Sequence, residues 1–247
     1  MTDKPAIRQR ALERAAQGGH NVASIIAREF GISRQAANVH LAQLVKAGEL
    51  EARGETRARV YRLVWREPIL HTYPREGLSE DRAWQELCAP VVADLAENVR
   101  DIWHCGITEM VNNAIDHSDS RVVHVGMRRN ALYTQGWVAD EGVGIFRKIQ
   151  KALNLYDPRE AILELAKGKF TTDPANHTGE GIFFSSKMFD AFGIRSSGLH
   201  FAHDDGEIDV LLEAPTGDTG TVVVMQLANN SLRTEREIFD RFAMPDE

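Results

Sequence analysis

Glu109 and Asn113 stand four positions apart in helix-like text, Ile102 to His117, so both side chains project from one face. A carboxylate there can take a proton from water, and a carboxamide oxygen can bind a hard cation such as Mg²⁺. For this pair alone an ordinary polar helix face is the simpler explanation, and neighbouring Asn112 is polar too. A second group follows the apolar run Ala131 to Ala139: Asp140, then Gly142 and Gly144, in the text Asp-Glu-Gly-Val-Gly-Ile. Asp140 can accept a hydrogen bond from an exocyclic amine such as that of adenine. Glycines beside it let backbone approach a base or ribose. Gly179 and Gly181 precede the helix-like text Ile182 to Asp190, where amides at a helix start can hold phosphate oxygens. Gly220-Thr221 then opens the last apolar run with a hydroxyl.

The elements that must position these residues are legible from periodicity. A helix is expected from Ser79-Glu80-Asp81, carrying Trp84, Leu87, Val91, Val92 and Leu95, and a second through Ile102–His117. Alternating runs at Arg121–Arg129 and Ala131–Ala139 read as adjacent antiparallel strands around Asn130. Helical patches follow near Gly144–Leu153 and Pro158–Lys167, then a polar stretch, then a helix over Ile182–Phe192. Three strands are expected near Ile194–Phe201, Ile208–Glu213 and Gly220–Leu227, and a helix with a polar end over 229–247. Helices bracketing a mainly antiparallel mixed sheet make an α+β body, an α/β sandwich over residues 80–228.

Charge separates this body from what precedes it. The chain has 247 residues and a net charge of −7, yet residues 1–66 hold 12 Lys/Arg against 6 Asp/Glu, a balance of +6. The remaining 17 basic and 30 acidic residues leave −13. A basic segment on an acidic body expects a polyanion at the first part alone. Apolar residues at 43% and charged residues at 26% are ordinary for globular proteins. No apolar run approaches the roughly 20 residues that span a bilayer, and the N-terminus lacks an apolar leader core, so no membrane partner is expected. Two cysteines without metal spacing fit a reducing, cytoplasmic setting.

Within residues 1–66, Ala23, Ile25, Ile26 and Phe30 give a first helix its apolar side, and Gly31 stops it. Ser33 caps a second helix whose Ala37, Val39, Leu41, Leu44 and Val45 are expected inward. Arg34, Gln35 and Asn38 fall on its exposed N-terminal half, with His40 nearby. Leu50–Arg53 and Ala58–Leu63 flank a turn at Gly54, with Arg53, Arg57, Arg59 and Arg62 in or beside it. A helix-turn-helix needs a small residue in the turn, polar reach from the second helix and cations for phosphates. The segment resembles winged helix-turn-helix domains of bacterial regulators over about 45 residues. The resemblance implies DNA binding through residues 22–63. Arg34, Gln35 and Asn38 would meet base edges, and Arg53, Arg57 and Arg59 would meet phosphates. A basic protein-interaction module is the alternative. Residues 67–79, with Pro68, Pro74 and Gly77, read as a linker.

The joint order in the acidic body is Glu…Asn on a helix, Asp-x-Gly-x-Gly after a strand, a long polar loop, Gly-x-Gly before a helix, and Gly-Thr before a strand. Residues 80–228 thereby resemble the ATP-binding domain shared by gyrase B, the large heat-shock chaperone, sensor histidine kinases and MutL, the GHKL or Bergerat fold. The resemblance implies ATP and Mg²⁺ as cofactors, with Glu109 as the base for water and Asn113 as the Mg²⁺ ligand. It places Asp140 on the adenine amine, with Gly142 and Gly144 beside it. It makes Gly179 and Gly181 a phosphate box, Gly220 and Thr221 the last box, and about Phe146–Thr178 an ATP lid. One departure is Glu180, an anion set between the glycines of the phosphate box. The expected activity is slow ATP hydrolysis controlling DNA or partner binding. The alternatives are an ATP-sensing transcription regulator without hydrolysis and an anti-sigma-like Ser/Thr kinase acting on a partner. Residues 79–98 contain no His, so histidine autophosphorylation is not expected. A homodimer would suit both domain types.

Overall fold

The computed structural model describes residues 3–55, 58–157, 159–166, 181–204, 209–213 and 219–242. They divide into two units: Met1–Glu67 with Arg129–Tyr133, and Pro68–Arg128 with Thr134–Glu247. The first unit contains α1 (Lys4–Ala16), α2 (Val22–Glu29), α3 (Arg34–Lys46), β1 (Leu50–Arg53) and β2 (Val60–Leu63). Helix α1 was not among the sequence expectations, because its apolar stripe is thin and charge dominates it. Ile7, Ala11, Leu12 and Ala15 nevertheless recur at helical spacing and are buried, and the Asp3 side chain accepts from the Ala6 amide. Ser33 caps α3 as expected, accepting from the Ala36 amide at 3.1 Å.

Val39 and Val45, expected inward, are exposed. At 3.6 residues per turn Ala37, Leu41 and Leu44 line one side of α3, and Val39, two positions from Ala37, falls on the far side. The core of this unit joins Ile7, Leu12, Ile26, Leu41 and Leu50 with Tyr61 and Leu132. Strands β1 and β2 pair antiparallel from Leu50 opposite Leu63 to Arg53 opposite Val60. Several of this unit's cations are held by its own acids: Glu29 accepts from Arg10 at 2.6 Å and Arg14 at 3.2 Å, and Arg8 meets Glu49 at 2.6 Å. The Arg10 hydrogen bond holds the Glu29 carboxyl down at about 2.

The second unit is α+β, a seven-stranded sheet in the order β3-β4-β5-β9-β6-β7-β8. Its strands are β3 (Ile69–Pro74), β4 (Val122–Arg129), β5 (Tyr133–Asp140), β6 (Ala191–Ser196), β7 (Leu199–Asp204), β8 (Asp209–Glu213) and β9 (Thr221–Ala228). The pairs β3–β4, β9–β6, β6–β7 and β7–β8 are antiparallel, so the expected mixed character of the sheet is not found in them. Residues 67–79, expected as a linker, supply edge strand β3. Only Tyr73 of that strand is buried, so it lacks the alternation that marks a strand in sequence.

A single strand was expected over Ile194–Phe201, but the chain reverses there. Ser197 and Gly198 both take positive φ, 54° and 77°, making the two-residue turn that joins β6 to β7. The strand begins at Ala191, so the preceding helix α9 (Gly181–Met188) ends before the expected Phe192. The first expected helix is also divided. α4 (Glu80–Ala83) and α5 (Ala89–Val92) flank a π-helical turn at Trp84–Cys88, where the Ala89 amide bonds the Trp84 carbonyl just before Pro90. Pro90 has no amide to continue the α ladder, and the wider turn absorbs the mismatch.

α6 (Glu97–His117) is the long helix of this unit, starting five residues earlier than expected. Its Ile102, Trp103 and Ile107 are buried with Val123, Val125 and Met127 of β4, Val138 of β5, Phe192 of β6 and Met225 of β9. The Trp103 ring meets Phe189 edge-on at 4.9 Å. α7 (Ile145–Ala152) and α8 (Glu160–Ala166) follow β5, and α10 (Glu235–Phe242) closes the unit as expected, with Phe239 against Phe184 at 4.3 Å. Among the described residues no helix is long and apolar enough to cross a membrane.

Candidate functional site

The last turns of α6 gather the residues of interest. Glu109 and Asn113 share one helix face, and the Asn113 amide nitrogen donates to Glu109 Oε1 at 3.3 Å. That leaves the Asn113 carbonyl oxygen as the end suited to a hard cation. Gly181, the first residue of α9, lies against Glu109 so closely that a Cβ on it would overlap the carboxylate. The carboxylate therefore sits where the positive end of α9 begins.

At the end of α6, the Ser118 carbonyl accepts from the Val143 amide at 3.1 Å. A Cβ on Gly142 would overlap that same carbonyl. The Asp-x-Gly-x-Gly turn is thus held on the end of the helix that carries Glu109 and Asn113. Asp140, the last residue of β5, is 8% exposed. Its Oδ1 accepts from the Gly142 amide at 2.7 Å, and Thr221 also donates to the carboxyl. Burial pushes the Asp140 carboxyl above the ordinary carboxylate range, against the pull of those donors.

Gly144 caps α7 at φ 92° and faces the Ser196 and Ser197 hydroxyls. The Thr221 hydroxyl accepts from the Ile145 amide at 3.0 Å, tying the start of β9 to the start of α7. Ser196 donates to the Gly220 carbonyl at 2.9 Å. Gly220 has φ 88°, and a Cβ there would overlap the Asp140 carbonyl. Gly220→Ala combines left-handed strain with a backbone clash, which together predict a loss of roughly 2–4 kcal/mol. For a chain of this length that is a fall in Tm of about 5–15 °C in a thermal melt. A Tm within a degree or so of wild type would show that the turn relaxes freely.

The structure therefore brings Glu109, Asn113 and Gly181 together, and Asp140, Gly142, Gly144, Gly220 and Thr221 together, both along the last turns of α6. Gly179, and with it Glu180, lies outside the described residues. Sequence reasoning missed the hydroxyls of Ser118, Ser196 and Ser197, whose serines carry no spacing signal. It also missed Lys148, which pairs with Asp119 at 2.5 Å and whose charge acts on Asp140. Burial first, then the Glu235 and Glu109 charges, pushes the Cys105 thiol up to about 12, away from the thiolate form that a nucleophile needs.

In the first unit Arg34, Gln35 and Asn38 are exposed on the first turns of α3. Arg53, at the end of β1, is exposed and pairs with Glu51 at 3.0 Å, and Arg59 is exposed just before β2. Arg57 lies outside the described residues. No family model matches the chain, and no curated protein matches it.

A buried acceptor with its lone pairs only partly used, next to two glycines and a hydroxyl, suits a planar ligand with an exocyclic donor. A carboxylate and a carboxamide one helical turn apart suit a hydrated cation and a water nucleophile. The first group is held against the C-terminal end of the helix that carries the second.

Proposed function

We propose that the chain is an ATP-binding regulatory protein in which a GHKL-type domain controls a winged helix-turn-helix that binds DNA. The observation that carries this reading is the buried Asp140 carboxyl, bonded by Gly142 and Thr221 and anchored to the end of the helix bearing Glu109 and Asn113. Asp140 would hold the adenine amine. Gly181 at the start of α9 would face the phosphates, and the Asn113 carbonyl would bind Mg²⁺. When bound, the metal would neutralise charge on the phosphates, and Glu109 would orient and deprotonate water.

The residues fit such a ligand in donor type. Asn113 keeps an oxygen for a hard cation, and the buried Asp140 carboxyl keeps acceptor capacity beyond its bonds from Gly142 and Thr221. A sensor that barely hydrolyses ATP has its own support. Glu109 is engaged by Asn113 and packed on Gly181, which holds the base in place and leaves it less free to reach water. DNA would meet Arg34, Gln35 and Asn38 on α3, with Arg53 and Arg59 on phosphates.

Linkage supplies the test. If nucleotide state controls DNA binding, ATP must change DNA affinity by some factor, and DNA must change ATP affinity by the same factor. Titration of Mg²⁺-ATP into the chain should give saturable binding. Selection of bound sequences from a random DNA pool, repeated with and without ATP, should show a shift of about fivefold or more. Absent nucleotide binding removes the reading of the second unit. Equal DNA affinity in both states removes the coupling while leaving each site.

A further inference from the structure

Glu141, between Asp140 and Gly142, has no part in the reading above, yet its carboxylate reaches across the sheet. Glu141 Oε1 lies 3.3 Å from His124 Nε2, and His124 Nδ1 lies 2.9 Å from Thr72 Oγ1. Three separate elements supply this row: edge strand β3, its neighbour β4 and the turn after β5. The carboxylate can only accept, so it selects the imidazole tautomer with the proton on Nε2. Nδ1 is then an acceptor, and the Thr72 hydroxyl donates to it. A hydroxyl on a base that is itself oriented by a carboxylate is the arrangement that activates an oxygen nucleophile.

Strand register adds a second feature. Thr72 stands opposite His124, and the Arg75 amide bonds the Arg121 carbonyl. Hydrogen-bonded pairs alternate along an antiparallel ladder, so Tyr73 and His71 face β4 with their amides and Thr72 does not. The Thr72 N–H therefore points to the free side of β3, which is the edge of the sheet among the described residues. A nucleophile with its own amide unclaimed by the ladder has a donor beside it for a developing oxyanion. Thr72 is exposed, and Leu70, two residues away on the same face, is 59% exposed and offers apolar surface beside the hydroxyl.

We propose that Thr72 is a nucleophilic hydroxyl, activated by His124 and Glu141, that takes up a small acyl group from an activated ester. Thr72 Oγ1 attacks the ester carbonyl carbon and forms the new C–O bond as its proton passes to His124 Nδ1. The bond to the leaving oxygen breaks with its electron pair, and that oxygen takes the proton from His124. Water then attacks the acyl-threonine with the same imidazole as base, returning the free hydroxyl and a carboxylic acid. Glu141 holds the imidazole and stabilises its charge while the proton is on it.

The test uses the full chain with p-nitrophenyl acetate. A burst of about one equivalent of nitrophenolate is expected, together with an acetyl group on the Thr72 peptide by mass spectrometry. Thr72→Val keeps the side-chain shape at an exposed position and should abolish the burst with an unchanged melt. His124→Gln should slow acylation about a hundredfold. Glu141→Gln should slow it less and leave Thr72 the acylated residue. The proposal is overturned by any of three results: no burst, a burst equal in Thr72→Val, or acetyl found on lysines alone. None of these outcomes bears on nucleotide binding, so the two readings stand or fall separately.

Discussion

Asp140→Asn should bind Mg²⁺-ATP about a hundredfold more weakly than the unaltered chain and should melt no lower. The first half follows from donor and acceptor bookkeeping. The Gly142 amide and Thr221 both donate to the carboxyl, so an asparagine there keeps its oxygen towards those donors and turns its NH₂ into the site. An adenine amine would then meet a donor instead of an acceptor, and an unpaired buried polar pair costs about 1–3 kcal/mol, up to a hundredfold in affinity.

The second half follows from the direction of the Asp140 shift. Burial raises its folded-state pKa above the unfolded value. Its contribution to stability is therefore fully present below the ordinary carboxylate range and is lost as pH rises through the raised value. Above that raised value the unaltered chain carries a buried charge that asparagine lacks. Melts across that range should show the wild type losing stability relative to Asp140→Asn as pH rises. Calorimetric titration reads the affinity, and undiminished ATP binding would mean that Asp140 does not face the base.

The contrast between what sequence and structure show has physical causes. Long alternation and helical periodicity mark β4, β5, β9 and α6 because each buries one continuous face. β3 escapes detection because an edge strand with one buried residue, Tyr73, carries no pattern. The break between β6 and β7 hides in Ser197-Gly198, since serine at positive φ is uncommon. At the site, residue types and spacing identify Asp140, Gly142 and Gly220, but not what their neighbours are. Gly142 and Gly220 fit against the Ser118 and Asp140 carbonyls, so these glycines serve close backbone packing within the protein as well as any ligand beside it. Nor does sequence predict that Glu141 would reach His124, because a cross-sheet contact depends on strand register.

Glu109→Gln should release phosphate from ATP about a hundredfold or more slowly while binding the nucleotide with little change. A general base contributes roughly 10²–10⁴ in rate, and an amide in its place cannot take the proton from water. The substitution keeps the volume packed on Gly181 and keeps an oxygen for the Asn113 amide, so the last turns of α6 have no cause to move. Loss of binding energy would raise KM; loss of the base alone lowers kcat, and the split between them reports which role Glu109 plays. Equal phosphate release from both chains would remove hydrolysis and leave a sensor whose switch is nucleotide occupancy. In that case Glu109 is a structural anion at the start of α9, and DNA affinity should respond to ATP in Glu109→Gln as it does in the wild type.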